Sequence, residues 1–315
     1  MHPEAFLPCK EGMELLQSKP YPESVQSIIV DEAHCILEWG LDFRKDYSNL
    51  AMLCATFPTV PVVALTAIAS KADVILIKES LNLKKPVEMT ANPDRPNIFY
   101  EKIIRKGNNL EFFQELLHNI ATVLLKKKLD YPLTILYLPL KWCGYAFKYL
   151  AKHLGKEQYY PLDAEAIPEN RLFAQFHSPQ TNAMKNQILT ELSSPLSKLK
   201  VVFATVALGM GIDIPCIRHV IHVGPPHTIR EYFQETGRAG RDRKQSTAVL
   251  YYNKRDIAMS RPGISGSIRE YCKLEDSCLR MFLLGCLDVH DVMKDNPHVC
   301  CSYCKMQCKC SECTT

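Results

Sequence analysis

Asp31-Glu32-Ala33-His34 follows directly on the apolar run Ile28-Ile29-Val30. A short apolar run predicts a buried strand, and open α/β sheets bind ligands at the carboxyl edge of their strands. Two carboxylates at such an edge suit phosphate chemistry. Asp31 would hold the magnesium of a bound nucleotide, Glu32 would orient or deprotonate an attacking water, and His34 closes the quartet. The same residues would equally serve a helix start, because Asp and Glu favour a first turn.

Four further segments carry candidate chemistry. Leu65-Thr66-Ala67 ends the next strand candidate, 35 positions after Asp31. The Thr66 hydroxyl there could relay nucleotide state, although a Thr at a strand end is more often structural. Gly209-Met210-Gly211-Ile212-Asp213 follows Val201–Thr205. Gly211 lets the backbone approach a phosphate or ribose, and Asp213 could accept a bond from a ribose hydroxyl; a plain tight turn is the alternative. Gln234-Glu235-Thr236-Gly237-Arg238-Ala239-Gly240-Arg241 puts two arginines three apart, on one face of a turn. Permanently charged guanidinium groups there could stabilise charge developing on a transferring phosphate, and a solvated basic turn is the bland reading. Trp39, Phe43 and Arg44 follow the acidic quartet. They could stack on bases, or Trp39 and Phe43, at i and i+4, could be core.

Cysteine usage is lopsided. Nine of the 14 cysteines lie in residues 272–313. Cys301-x-x-Cys304-x-x-x-Cys308 offers three thiolates at short loop spacing, and Cys278 could close a tetrahedral structural zinc site. Cys300, Cys310 and Cys313 are possible substitutes, and an unliganded Cys-rich tail is the alternative.

The elements that must position these residues alternate along the chain. Strand candidates lie at 26–30, 61–65, 133–138, 200–204, 217–222 and 247–252, with helix candidates at 44–55, 70–81, 109–126, 141–153, 181–192, 228–236 and 276–285. Such alternation implies parallel sheets covered by helices. Asn92-Pro93-Asp94-Arg95-Pro96-Asn97 reads as a linker, and the character changes again after Arg261-Pro262-Gly263. The expected division is 1–103, 104–260 and 261–315. Length (315 residues) and 47% hydrophobic residues allow about two domains with sizeable cores. The net charge of +4 is too mild to indicate nucleic-acid binding by itself. No apolar run is long enough to span a membrane and no signal peptide opens the chain, so an intracellular, reduced protein is expected. That setting favours metal over disulfides.

Taken in order, the set resembles the RecQ family of superfamily 2 helicases. Asp31–Arg44 is similar to the family's acidic box running into its aromatic-rich loop, departing from the usual form at Leu37, Glu38 and Leu41. Asp94-Arg95-Pro96-Asn97-Ile98 is similar to its link into the second lobe. Val201–Pro215, His222 and Tyr232–Asp242 match its fifth and sixth motifs, and Cys278-Leu279-Arg280 with the later cysteines resembles its zinc subdomain. The resemblance implies an α/β fold of two RecA-like parallel-sheet lobes, the first partial, followed by a small helical zinc-binding subdomain. It implies ATP, Mg2+ and Zn2+ as cofactors and 3′-to-5′ unwinding of DNA at single-strand/duplex junctions in recombination and repair, in the nucleus. Gly211, Asp213 and Gln234 would serve the nucleotide, and Arg238 and Arg241 would face ATP held on the first lobe. Trp39, Phe43, Arg44, Thr66 and Thr205 would serve the nucleic acid; Cys278, Cys301, Cys304 and Cys308 would hold zinc.

One expected part is missing from the chain. It nowhere contains G-x-x-x-x-G-K-[ST], the loop that cradles phosphates. In a RecQ-like protein that loop would precede residue 1. The first lobe is therefore expected to be incomplete, with apolar faces exposed. The competing reading is a non-catalytic nucleic-acid-binding or scaffolding module derived from a helicase. A superfamily 2 motor acting on RNA is a third, disfavoured by the cysteine tail and the Trp39–Arg44 segment.

Overall fold

The computed structural model describes residues 10–19, 21–39, 50–106, 109–209, 214–290 and 296–314. The chain forms two compact units. One comprises Met1–Asp94 with Leu284–His290, the other Arg95–Leu283 with Asp291–Thr315.

In the first unit, helix α1 (Lys10–Gln17) precedes strand β1 (Ile28–Val30), then α2 (Cys35–Trp39), α3 (Leu50–Thr56), β2 (Val62–Ala64) and α4 (Lys71–Ser80). β1 and β2 pair in parallel, with Ile28 opposite Val62 and Val30 opposite Ala64. Their alternation sends Ile28 and Val30 into a core with Ala33, Ile36, Leu50, Phe57, Ile77 and Leu81. The opposite face is open: Ile29 is 64% exposed and Val63 44%. Apolar side chains thus stand on one face of the β1–β2 sheet. α4 begins at a capping box, in which Ser70 and Asp73 satisfy each other's backbone N–H groups.

The second unit carries a six-stranded, all-parallel sheet in the order β3-β8-β7-β4-β6-β5. Its strands are β3 (Ile98–Ile104), β4 (Thr134–Tyr137), β5 (Phe173–Phe176), β6 (Val201–Ala204), β7 (His219–Val223) and β8 (Ser246–Tyr252). The connecting helices include α5 (Asn109–Lys127), α6 (Leu140–Leu154), α7 (Asn182–Ser193) and α8 (Ile229–Thr236). β4 and β6 are buried along their whole length, as parallel strands covered on both faces must be. Phe113, Leu117 and Leu124 of α5 meet Cys143, Ala146 and Leu150 of α6 over Leu136, Val201 and Phe203. These are the 3.6-residue stripes that the sequence shows in both helices.

Two strands lie outside the sequence expectations. β3 falls across the expected boundary at 103: Ile98 pairs with Ser246 and Ile104 with Tyr252, so the chain joins the second sheet immediately after the linker. β5 is the short edge strand Phe-Ala-Gln-Phe, too brief to show a period. The cysteine-rich end continues as α9 (Gly266–Lys273), α10 (Leu279–Gly285), α11 (Pro297–Cys300), α12 (Ser302–Gln307) and α13 (Ser311–Thr314). Much of it packs on β3 as part of the second unit. Tyr100 bridges Cys301, and buried Arg280 donates to the Pro96 and Ile98 carbonyls at 2.9 and 2.8 Å.

Candidate nucleotide and metal sites

At the carboxyl end of β1 the chain makes a tight turn over 31–34 before α2 begins. Glu32 takes a left-handed backbone (φ 49°), a conformation disfavoured for a residue with a Cβ and found where a side chain must be aimed. Asp31 is exposed and its Oδ1 accepts from the Glu32 N–H at 2.9 Å. His34 is buried. Its Nδ1 lies 3.1 Å from Thr66 Oγ1, just past the end of β2, and 3.3 Å from Glu32 Oε2. The β1–β2 ladder continues into this turn, since Ala33 donates to the Leu65 carbonyl at 2.8 Å. The fold therefore joins carboxylate, imidazole and hydroxyl in one row. The quartet is a turn between strand and helix.

The second set of side chains stands at the carboxyl edge of the six-stranded sheet. Tyr137, Ala204 and His222 are register partners across β4, β6 and β7, at or next to the ends of those strands. Thr205 follows at once; its hydroxyl accepts from the Ala207 N–H at 3.3 Å. Buried His222 stacks on Tyr137 (centroids 4.9 Å, 15°) and hydrogen bonds through Nε2 to Oε2 of buried Glu235 at 2.7 Å. Burial pushes the Tyr137 phenol well up, helped by the Glu235 charge and opposed by Arg238 beside it. α8 starts from a second capping box, Thr228 with Glu231, which fixes the helix that presents Gln234, Glu235 and the arginine turn.

The arginine turn is held by residues distant in sequence. Arg95 donates to the carbonyls of Gly237 (3.2 Å), Ala239 (3.2 Å) and Gly240 (2.7 Å). Asn97 donates to Gly240 and Lys244, each at 2.8 Å. Arg218 forks onto both Asp242 oxygens, an ion pair that holds the Asp242 carboxyl below its usual range. Arg238 is buried and Arg241 exposed. The two carboxylates at β1 and the two guanidinium groups after α8 belong to different units.

Trp39 ends α2, with its side chain outside the described residues. Phe43, Arg44, Gly211 and Asp213 also lie outside them.

The cysteines resolve into two groups. Cys278, Cys300, Cys301 and Cys304 bring four sulfurs together; His298, Cys308, Cys310 and Cys313 form the second set. The grouping differs from the set expected from spacing: the Cys308 sulfur falls in the second group, and Cys300 stands with Cys278, Cys301 and Cys304. The reason is geometric. Cys308 caps the far end of α12, where its N–H donates to the Lys305 carbonyl, whereas Cys300 immediately precedes the Cys301 turn. The Cys278 sulfur lies 3.6 Å from that of Cys300 and 3.8 Å from that of Cys301. A tetrahedron of Zn–S bonds of about 2.3 Å requires sulfur separations of about 3.8 Å, so the set fits the ion. Neighbouring Cys278 and Cys300 thiols draw the Cys301 thiol strongly down, while contacts with Cys278 and Cys301, and then burial, push Cys300 up.

Sequence reasoning missed Tyr137, Glu235, Arg218, His298 and the clamping roles of Arg95 and Asn97. Arg95 and Asn97 carry a visible signal as polar residues inside a Pro-containing link, and Glu235 as a member of the Gln234–Arg241 string. Among the described residues no helix is long and apolar enough to cross a membrane.

The family model of the helicase conserved C-terminal domain matches residues 151–243. The chain is 32% identical over 256 residues to the putative ATP-dependent DNA helicase Q1 of Caenorhabditis elegans, covering 81% of this chain and 37% of that protein. It is 35% identical over 231 residues to the ATP-dependent helicase SGS1 of Saccharomyces cerevisiae, covering 73% and 14%. It is 34% identical over 253 residues to the mouse bifunctional 3'-5' exonuclease/ATP-dependent helicase WRN, covering 80% and 17%. The chain thus spans well under half the length of these relatives. Among solved structures it is similar to Mycobacterium smegmatis helicase Lhr bound to ssDNA and AMP-PNP (TM-score 0.56, 17% identity, 78% of this chain and 32% of that one). It is also similar to S. cerevisiae Dbp5 bound to RNA and ADP BeF3 (TM-score 0.53, 15% identity, 73% and 54%). At those identities the structural likeness speaks to the fold alone, and that fold is RecA-like. With acidic quartet, arginine turn and relatives in agreement, the chain belongs to the RecQ-type helicases of superfamily 2.

Proposed function

We propose that this chain is the motor portion of a 3′-to-5′ DNA helicase, acting on single-strand/duplex junctions in the nucleus during recombination and repair. The observation that carries the reading is the row Glu32–His34–Thr66 at the carboxyl ends of β1 and β2. Bound ATP would supply the phosphoanhydride and Mg2+ the charge that balances it. Asp31 is the exposed carboxylate fit to hold the cation. Glu32 is fit to take the proton of the attacking water, its Oε2 being buried with no hydrogen-bond donor among the described residues. The His34 ring stands beside both that oxygen and the Thr66 hydroxyl, at 3.3 and 3.1 Å, so a change at Glu32 would be felt at the end of β2. Arg238 and Arg241 supply permanent positive charge for the phosphates. Gln234 serves the nucleotide, Thr205 the nucleic acid. Gly211 and Asp213 for the nucleotide, and Trp39, Phe43 and Arg44 for the bases, are assigned by family resemblance. Zn2+ would be held by Cys278, Cys300, Cys301 and Cys304 as a structural ion.

A second reading holds for the 315 residues by themselves. No G-x-x-x-x-G-K-[ST] loop occurs in them, which favours DNA binding without turnover. Both are tested together. The chain alone should bind single-stranded DNA with an affinity that falls as salt rises, and should not hydrolyse ATP. Fused behind a phosphate-loop segment from the C. elegans relative, it should show DNA-stimulated hydrolysis. Glu32→Gln should reduce that rate at least ~100-fold. A folded fusion with no stimulated hydrolysis rejects the motor assignment.

A further inference from the structure

We propose that the chain carries a second metal centre, a Cys3His site for a zinc-class divalent ion built from His298, Cys308, Cys310 and Cys313. Their donor atoms lie within 4.8 Å of one another, with no residue shared with the Cys278 group. His298 Nδ1 faces the sulfur of Cys310 at 3.3 Å and that of Cys308 at 4.0 Å. Zinc–sulfur and zinc–nitrogen bonds of about 2.3 and 2.0 Å at tetrahedral angles put nitrogen and sulfur about 3.5 Å apart, between those two values.

An independent feature points to a ligand. The other ring nitrogen of His298, Nε2, lies 3.4 Å from Glu312 Oε2. A metal-ligating histidine characteristically donates its distal N–H to a carboxylate, which fixes the tautomer and turns the free lone pair to the ion. Here the carboxylate is on the same short segment as Cys310 and Cys313. The backbone preorganises that segment: Cys308 donates to the Lys305 carbonyl at 3.2 Å and Cys313 to the Cys310 carbonyl at 3.0 Å. His298 and Cys300 are two residues apart on α11, about 200° around a helix, so one turn feeds two separate donor sets. All four donors are half-buried, which leaves the centre open to exchange. The ion would tie the last turn of the chain to α11, and through Cys300 to the first metal site.

The test is zinc per chain, by mass spectrometry of the metal, for the whole 315-residue protein and for Cys308→Ser/Cys313→Ser. The double variant should lose one equivalent relative to the parent; an unchanged content overturns the proposal. His298→Cys keeps four donors and guards against misfolding. Reconstituted with Co2+, it should hold as much metal as the parent, with visible bands shifted to those of an all-sulfur site. A Co2+ spectrum identical in parent and His298→Cys also overturns the proposal, because the histidine would then not be a ligand.

Discussion

Gly240 shows how tightly a single position can be dictated. It sits at φ 56°, and a Cβ there would meet Asn97 Nδ2 at 2.4 Å, Ser246 Oγ at 2.6 Å and the Lys244 carbonyl at 2.7 Å. No side chain fits without moving the clamp that holds the arginine turn. Gly240→Ala should cost about 2–4 kcal/mol, from left-handed backbone strain plus overpacking, read as a lowered urea midpoint. It should also displace Arg238 and Arg241, so in the fusion with a phosphate-loop segment the loss of hydrolysis should exceed the loss of stability. Glu32 is the opposite case. It adopts its left-handed turn despite having a Cβ, and Glu32→Gln leaves shape and backbone alone while removing the charge. Its effect should appear in turnover and scarcely in the melting temperature.

Among the elements, β7 carries the clearest pH signature. His219 opens that strand, its Nδ1 facing Thr247 Oγ1 on the partner strand β8. Burial, then the nearby Arg218 and Lys127 charges, holds its imidazole below the ordinary 6.5. A group depressed in the folded state binds more protons when unfolded, so stability rises with pH across the interval between the two values. The protein should therefore lose stability as pH falls below about 6.5, until the folded-state imidazole itself titrates. His219→Gln should flatten that slope in urea unfolding series at pH 5 to 7; an unchanged slope would assign it to other groups. The Arg218–Asp242 pair adds nothing in this window, because a depressed carboxyl loses its contribution only at more acid pH.

Across the whole molecule, most of the cysteine-rich end is bound into the second unit, while Leu284–His290 belong to the first. Tyr232, Tyr271 and Phe282 run as a line of ring contacts from α8 through α9 to α10. Arg280 locks α10 to the link before β3, and Cys301 bridges Tyr100 within β3. Metal held as proposed at Cys278, Cys300, Cys301 and Cys304 would thus stabilise the edge of the sheet as well as its own loops. Chelation should speed amide exchange over 98–104 while the buried centre, β4 and β6, stays protected. Equal deprotection of all strands would mean that the metal supports the whole unit at once.

The sequence alone determined the alternating α/β plan, the acidic turn at the end of β1 and the arginine turn after α8. Each depends on neighbours a few positions away, where apolar periodicity, capping residues and glycines act. Tertiary structure decided the rest. Arg95 grips Gly240 from 145 positions away and Arg280 grips Pro96 from 184, distances at which no local pattern speaks. The exchange of Cys308 for Cys300 in the sulfur cluster has the same origin. Spacing shows which cysteines could reach a common point, but the packing of α11 and α12 on β3 decides which sulfurs stand together.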